Sequence, residues 1–118
     1  MTAADTTSST GTQPQATGLD LITCIVQRGK ADRIVKKAIA AGAGGATVWF
    51  ARGSGIRERL GLLGIAISPE KEVITILTPA DITQAVFTTV VEAAQLDVPG
   101  NGIAYVTEVK QMAGIHGY

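Results

Sequence analysis

A short stretch from residue 50 to residue 60 combines two residue types that suit the binding of a small anion. It reads FARGSGIRERL, in which Gly53 and Gly55 are separated by one residue and arginines lie on both sides. Glycine adopts backbone conformations that are forbidden to other residues, and it lets the backbone approach a ligand closely. The planar donors of Arg57 and Arg59 fit a phosphate or a carboxylate. The stretch is a candidate anion-binding loop, although solvated loop arginines are common without any ligand.

A second glycine-rich turn lies near the C-terminus, where the sequence PGNG places Gly100 and Gly102 around Asn101. Successive backbone N–H groups in such a turn can form an anion-binding nest. A bulky side chain at Gly102 is therefore expected to block the approach of a ligand. Lys71 and His116, the single histidine, are candidate cationic contacts, and histidine titrates near neutral pH. A single G-x-G pair is more often a plain turn than a binding site.

The residues around these two turns alternate between strand and helix patterns. Runs rich in β-branched residues predict strands over 20–26, 45–50, 72–77 and 103–109. Helical spacing of apolar residues predicts one helix over 30–42 and a second that begins at TPAD, with Thr78 as its N-cap and Pro79 as its first residue. This order predicts a ferredoxin-like βαββαβ sandwich of the α+β class, in which two helices cover one face of an antiparallel four-stranded sheet.

The composition also predicts how the chain divides. Residues 1–18 are rich in Thr, Ser, Gly and Gln and carry one charge, so we expect a disordered N-terminal tail before a domain over 19–118. Within that domain, residues 51–68 fit neither the strand nor the helix pattern. Their glycines raise the entropy cost of ordering them, so we expect a mobile loop there.

The predicted strands are apolar at nearly every position, which is typical of strands that are buried on both faces. The few aromatic rings of the chain are expected to contribute to its core. Because only two helices are available, we expect the second face of the sheet to pack against other copies of the chain.

Several classes of function are disfavoured by composition. Ten basic and ten acidic residues cancel, so the chain has no general attraction for nucleic acid or for anionic lipid. Cys24 is the single cysteine, which excludes an intrachain disulfide and a cysteine-rich zinc site. Neither a signal peptide nor a membrane-spanning run is evident, so we expect a cytoplasmic protein without membrane insertion. His116 has no evident nucleophilic or acidic partner at motif spacing, so an enzyme is not expected.

The combination of GATV followed by RGSG, and of PGNG before the last strand, resembles the PII nitrogen-regulatory signalling proteins over residues 20–118. RGSG looks like the start of their T-loop. The resemblance implies a homotrimer that binds an adenine nucleotide (ADP, AMP or ATP) between subunits and contacts a target protein through the T-loop at 51–68. It implies effector-binding roles for Thr47, Gly53, Ser54, Gly55, Arg57, Arg59, Lys71, Gly100, Asn101, Gly102 and His116.

The chain departs from the PII pattern at three places. Ile103 follows the second turn where the family has a phosphate-binding lysine, and MAGIHG replaces a segment that carries two arginines. Arg57 stands where the family has the glutamine that helps to hold magnesium and 2-oxoglutarate. We therefore expect a divergent member that needs no metal and favours ADP or AMP.

Two further interpretations of the resemblance stay open. Bicarbonate is an alternative effector, since carboxysome- and bicarbonate-transport-associated relatives also deviate at these positions. A membrane transporter or a protein of carbon or nitrogen metabolism is then a candidate target. A CutA-like ion- or metal-responsive trimer is the alternative function, although one cysteine and one histidine offer few ligands.

Overall fold

The computed structural model describes residues 17–53 and 69–114. The predicted tail up to residue 16, the greater part of the predicted T-loop and the last four residues lie outside this described part. Its elements are, in chain order, β1 (Leu19–Gln27), α1 (Ala31–Ala40), β2 (Thr47–Arg52), β3 (Glu70–Pro79), α2 (Ala80–Ala94) and β4 (Gly102–Glu108).

The four strands of the described part form one antiparallel sheet in the order β2-β3-β1-β4. This confirms the predicted ferredoxin-like arrangement. The central strand β1 pairs with β3 up to Gln27↔Lys71 and with β4 up to Val26↔Gly102, while β2 pairs with β3 up to Arg52↔Glu70. The ends of β1 and β2 and the starts of β3 and β4 therefore meet at one end of the sheet, which we call the strand-end edge.

Both helices cover the same face of the sheet. Even-numbered residues of the central strands point to that face and are buried beneath apolar residues of α1 and α2. The fully buried apolar residues of the described part are Ile22, Cys24, Val26, Ala31, Ile34, Ala38, Ile74, Ile76, Val86 and Val90. Burial raises the pKa of the Cys24 thiol to about 11. The thiol therefore stays protonated at neutral pH, and Cys24 acts as a small apolar core residue.

The opposite face of the sheet, which we call the open face, is not covered by the described residues. Trp49, Ile103 and Tyr105 lie on it and are 46%, 57% and 43% exposed. The expectation that the aromatic rings fill the core is wrong for Trp49, Tyr105 and Phe50, whereas Phe87 does pack against the core. Trp49 and Tyr105 point away from the helices, and Phe50, on the helix side of the edge strand β2, is still 67% exposed, so the described part of one chain does not bury these rings.

The predicted boundaries differ from the structure by one or two residues, and two of these differences change a predicted role. The predicted helix start is wrong by one residue, because β3 continues through Pro79 and the first helical residue is Ala80. Thr78 is fully buried and its hydroxyl bonds to that of Thr83 at 2.7 Å, so it cannot cap the helix. Strand β2 likewise extends to Arg52, because its last residues pair with β3. The first two residues assigned to the loop at 51–68 therefore belong to a strand.

The N-terminus of α1 is capped from a different element. Oε1 of Glu72 in β3 accepts hydrogen bonds from the backbone N–H groups of Gly29 and Ala31, each at 2.9 Å. Glu72 is only 9% exposed. A carboxylate at this position satisfies otherwise unpaired helix donors and also interacts favourably with the helix dipole.

We expect Glu72→Ala to lower the free energy of unfolding by about 2 to 4 kcal/mol, because two charge-assisted hydrogen bonds are lost in a buried place. The neighbouring Glu70 forms an exposed ion pair with Arg28 at 3.3 Å, so Glu70→Ala is the matched control and should cost about 1 kcal/mol or less. Urea unfolding of both variants measures the difference. Equal losses would show that the cap contributes nothing specific.

Candidate functional site

The strand-end edge brings together residues that are distant in sequence. Gln27 ends β1, Arg52 ends β2, Lys71 lies near the start of β3 and Gly102 begins β4. The backbone N–H of Gly53 donates to the carbonyl of Pro69 at 2.9 Å, which closes the base of the segment between β2 and β3. Gly53, from the first glycine-containing stretch, and the glycine turn before β4 thus lie at the same end of the sheet.

A chain of hydrogen bonds crosses this edge. Nζ of Lys71 donates to Oε1 of Gln27 at 3.4 Å, and Nε2 of Gln27 donates to the carbonyl of Gly100 at 3.0 Å. Lys71 is only 8% exposed although it carries a charge. The predicted cationic residue and the predicted glycine turn are therefore connected through Gln27. Sequence reasoning missed Gln27; the only available signal was a polar residue that ends an apolar strand.

Asn101 of the glycine turn donates its hydrogen bonds to residues that immediately precede it in the chain. The N–H of Asn101 donates to the carbonyl of Val98 at 3.2 Å, and its side-chain amide donates to the carbonyl of Gln95 at 3.0 Å. Gly100 has a φ of +88°, in the left-handed region that glycine adopts readily. In this conformation the turn is held by its own hydrogen bonds, and the Asn101 N–H is not directed at a ligand.

The pairing of β4 with β1 requires glycine at position 102, and the sequence did not suggest this requirement. Its φ is +144°, and a Cβ atom added there would lie 2.2 Å from the backbone oxygen of Ile25. The close approach that requires glycine here is the one between β4 and β1. A bulky residue at Gly102 would disturb the strand pairing, so it would not test ligand access alone.

An open cleft of about 210 Å³ lies beside the edge and is lined by Arg28, Phe50, Ala51, Arg52, Glu70 and Lys71. The guanidinium of Arg28 stacks over the Phe50 ring, with its Cζ 5.1 Å from the ring centroid, and bonds to Glu70. Two guanidinium groups and one ammonium beside a single carboxylate favour an anionic ligand here.

The structure brings five of the eleven residues with predicted effector-binding roles together, places one elsewhere and does not describe the other five. Gly53, Lys71, Gly100, Asn101 and Gly102 lie at or next to the strand-end edge. Thr47 begins β2 opposite Thr75, at the other end of that strand, so a single protomer does not bring it to the edge. The remaining five lie outside the described residues: Ser54, Gly55, Arg57, Arg59 and His116.

Two kinds of feature are not found in residues 17–53 and 69–114. No group of three His, Cys, Asp or Glu side chains is placed so that it could hold a metal ion. Neither described helix is long and apolar enough to cross a bilayer.

The comparisons with known proteins agree on the fold. The family model described as "Nitrogen regulatory protein P-II" matches residues 19–117. Among solved structures, PII of Arabidopsis thaliana bound to citrate matches with a TM-score of 0.59 and 22% sequence identity, and the match covers 78% of each chain. No curated protein sequence matches the chain. At 22% identity, the structural match shows the fold alone.

Proposed function

The chain belongs to the P-II family of nitrogen regulatory proteins, and we propose that it binds a small anionic effector at the strand-end edge. The observation that carries this proposal is the hydrogen-bonded chain from Lys71 through Gln27 to Gly100. It joins a cation to a glycine turn beside the base of the segment between β2 and β3. An effector bound here is well placed to change that segment, which would act as the T-loop towards a target protein.

The proposed effector is an adenine nucleotide with few phosphates, ADP or AMP. At the start of β4, Ile103 offers an apolar side chain that is 57% exposed where the family resemblance implies a phosphate-binding lysine. Each charge-assisted contact to phosphate is worth about 1.5 to 3 kcal/mol, so the loss of such contacts should remove the preference for a triphosphate. Lys71 would still supply one cationic contact.

The proposal includes a homotrimer in which neighbouring protomers complete each site. The open face supports this, because Trp49, Ile103 and Tyr105 on it remain 43% to 57% exposed in the described part of one chain. Because Thr47 lies at the end of β2 away from the strand-end edge of its own protomer, we propose that it would contact an effector only across a subunit boundary. The target is proposed to be a membrane transporter or a protein of carbon or nitrogen metabolism, which this chain would contact from the cytoplasm.

Isothermal titration calorimetry tests the effector. We expect ADP or AMP to bind at least as tightly as ATP, with no gain from magnesium and 2-oxoglutarate, because the family's phosphate lysine and its glutamine are both replaced. Lys71→Met should weaken ADP binding about tenfold or more, since it removes one charge-assisted contact. Lys110→Met, on the segment after β4, is the matched control and should leave the affinity unchanged.

Two results would contradict this choice of effector. Tight ATP binding that 2-oxoglutarate strengthens would show that the substitutions do not impair triphosphate sensing. The absence of heat with every adenine nucleotide would move the effector to another class, and bicarbonate and citrate are the next anions to titrate. Citrate is included because the Arabidopsis relative is described as bound to it.

A regulatory role, rather than catalysis, is part of the proposal. The CutA-like alternative gains no support from the described residues, because they contain no group of side chains suited to a metal ion.

A further inference from the structure

Gln27 lies at the centre of the strand-end edge and contacts two parts of the proposed site at once. It is the last residue of β1, and its partner across the sheet is Lys71. Its Oε1 accepts from Nζ of Lys71 at 3.4 Å, and its Nε2 donates to the carbonyl of Gly100 at 3.0 Å. One side chain therefore links the start of β3 to the glycine turn before β4.

An uncharged amide can make both of these contacts, whereas a charged side chain of similar length cannot. A carboxamide has an oxygen that accepts and an NH₂ group that donates, and here the two neighbours fix which end faces which. A glutamate would accept from Lys71 but would place negative charge against the Gly100 carbonyl. A lysine would donate to Gly100 but would repel Lys71. The chemistry of the contact thus selects glutamine.

We propose that Gln27 is a positioning residue, which fixes the Lys71 ammonium beside the glycine turn so that it can meet one anionic group of the ligand. The inference deepens the proposed function and rests on it for the identity of the ligand. Lysine has a long flexible side chain, and ordering it on ligand binding costs free energy. A side chain that holds the ammonium beside the turn beforehand lowers that cost and makes the site selective for charged ligands.

Calorimetry with ADP and with adenosine tests the selectivity, because the two ligands differ only in the phosphates. Gln27→Met, which keeps the approximate size of the side chain, should weaken ADP binding about tenfold. Gln27→Glu should weaken it about a hundredfold, since the new carboxylate also competes for the charge of Lys71. Adenosine should bind within about twofold of wild type in both variants. A role limited to fold stability would weaken both ligands alike.

Matched controls test whether the effect depends on position 27 rather than on the replacement of any glutamine. Gln84 is an exposed glutamine on α2 that bonds to Thr88 at 3.1 Å, so Gln84→Met and Gln84→Glu should change neither affinity. If Gln27→Glu acts through Lys71, then in a Lys71→Met background it should weaken ADP binding no more than Gln27→Met does. Full additivity of the two changes would contradict the coupling.

Amide hydrogen exchange tests the positioning without any ligand. The N–H of Asn101 is bonded within the turn to Val98, and Gln27→Met should raise its exchange rate about tenfold while Gln84→Met does not. Wild-type protein that binds no adenine nucleotide would overturn the proposed effector, yet faster exchange would still support the link between Gln27 and the turn. An unchanged exchange rate would overturn that link, and an unchanged preference for ADP over adenosine would overturn its role in binding.

Discussion

Replacing Gly102 with alanine is expected to lower the free energy of unfolding by about 3 to 5 kcal/mol. The added Cβ would lie 2.2 Å from the backbone oxygen of Ile25 and 3.2 Å from the Cα of Val26. These are backbone atoms of the central strand β1, so no flexible side chain can move aside. The φ of +144° adds strain for any residue with a Cβ. The start of β4 must therefore separate from β1.

Urea unfolding at one fixed protomer concentration measures this loss, because the stability of an oligomer depends on concentration. Gly44→Ala is the matched control: a Cβ at Gly44 meets nothing within 4 Å, so the change should stay within about 1 kcal/mol of wild type. A Gly102→Ala protein as stable as the control would mean that β4 can shift without cost. The same result would restore Gly102→Ala as a clean test of ligand access.

Tyr105→Lys is expected to convert the proposed trimer into monomers at micromolar concentration. Tyr105 lies on the open face opposite Thr23, among apolar side chains that a neighbouring protomer would have to bury. A lysine ammonium buried there without a partner costs far more free energy than one side chain contributes to the contact. Sedimentation equilibrium should therefore give the 12.2 kDa mass of one chain instead of about three times that mass.

The adjacent residue provides the control for this prediction. Val106 is on the same strand and is 39% exposed, close to the 43% of Tyr105, but it points to the helix-covered side of the sheet. Val106→Lys should remain trimeric, because a partially exposed lysine on that side keeps its ammonium in water. Dissociation of both variants would place the contact on the edge of β4 rather than on the open face. A wild-type monomer would refute the trimer altogether.

The order of the elements and their common fold could be predicted from sequence. Runs of β-branched and apolar residues such as DLITCIV indicate strands, and a period of about 3.6 residues from Ala31 to Ala40 indicates a helix. Glycine and proline mark where these elements end. The same local information predicted a sheet that is apolar on both faces. The prediction that Lys71 and the glycines of PGNG belong to one site came from the family resemblance instead, because their spacing alone does not place them together.

The contacts that organise the edge depend instead on how the strands pair. Gln27 meets Lys71 and Gly100 only because β1 lies between β3 and β4 in one particular register, and a shift by one residue would turn its side chain to the other face. Glu72 reaches the start of α1 for the same reason. Register is set by the whole packed sheet, so local sequence could not reveal these partners.

The tertiary structure also decided the meaning of residues that sequence had noticed. The sequence predicted a ligand-access role for Gly102, and the structure adds that the backbone of β1 requires glycine there. Threonine is a common N-cap residue, but the pairing of β3 with β1 extends through Pro79 and turns the Thr78 hydroxyl into the core. A residue type states which contacts are chemically possible, whereas the packing of distant strands determines which of them form.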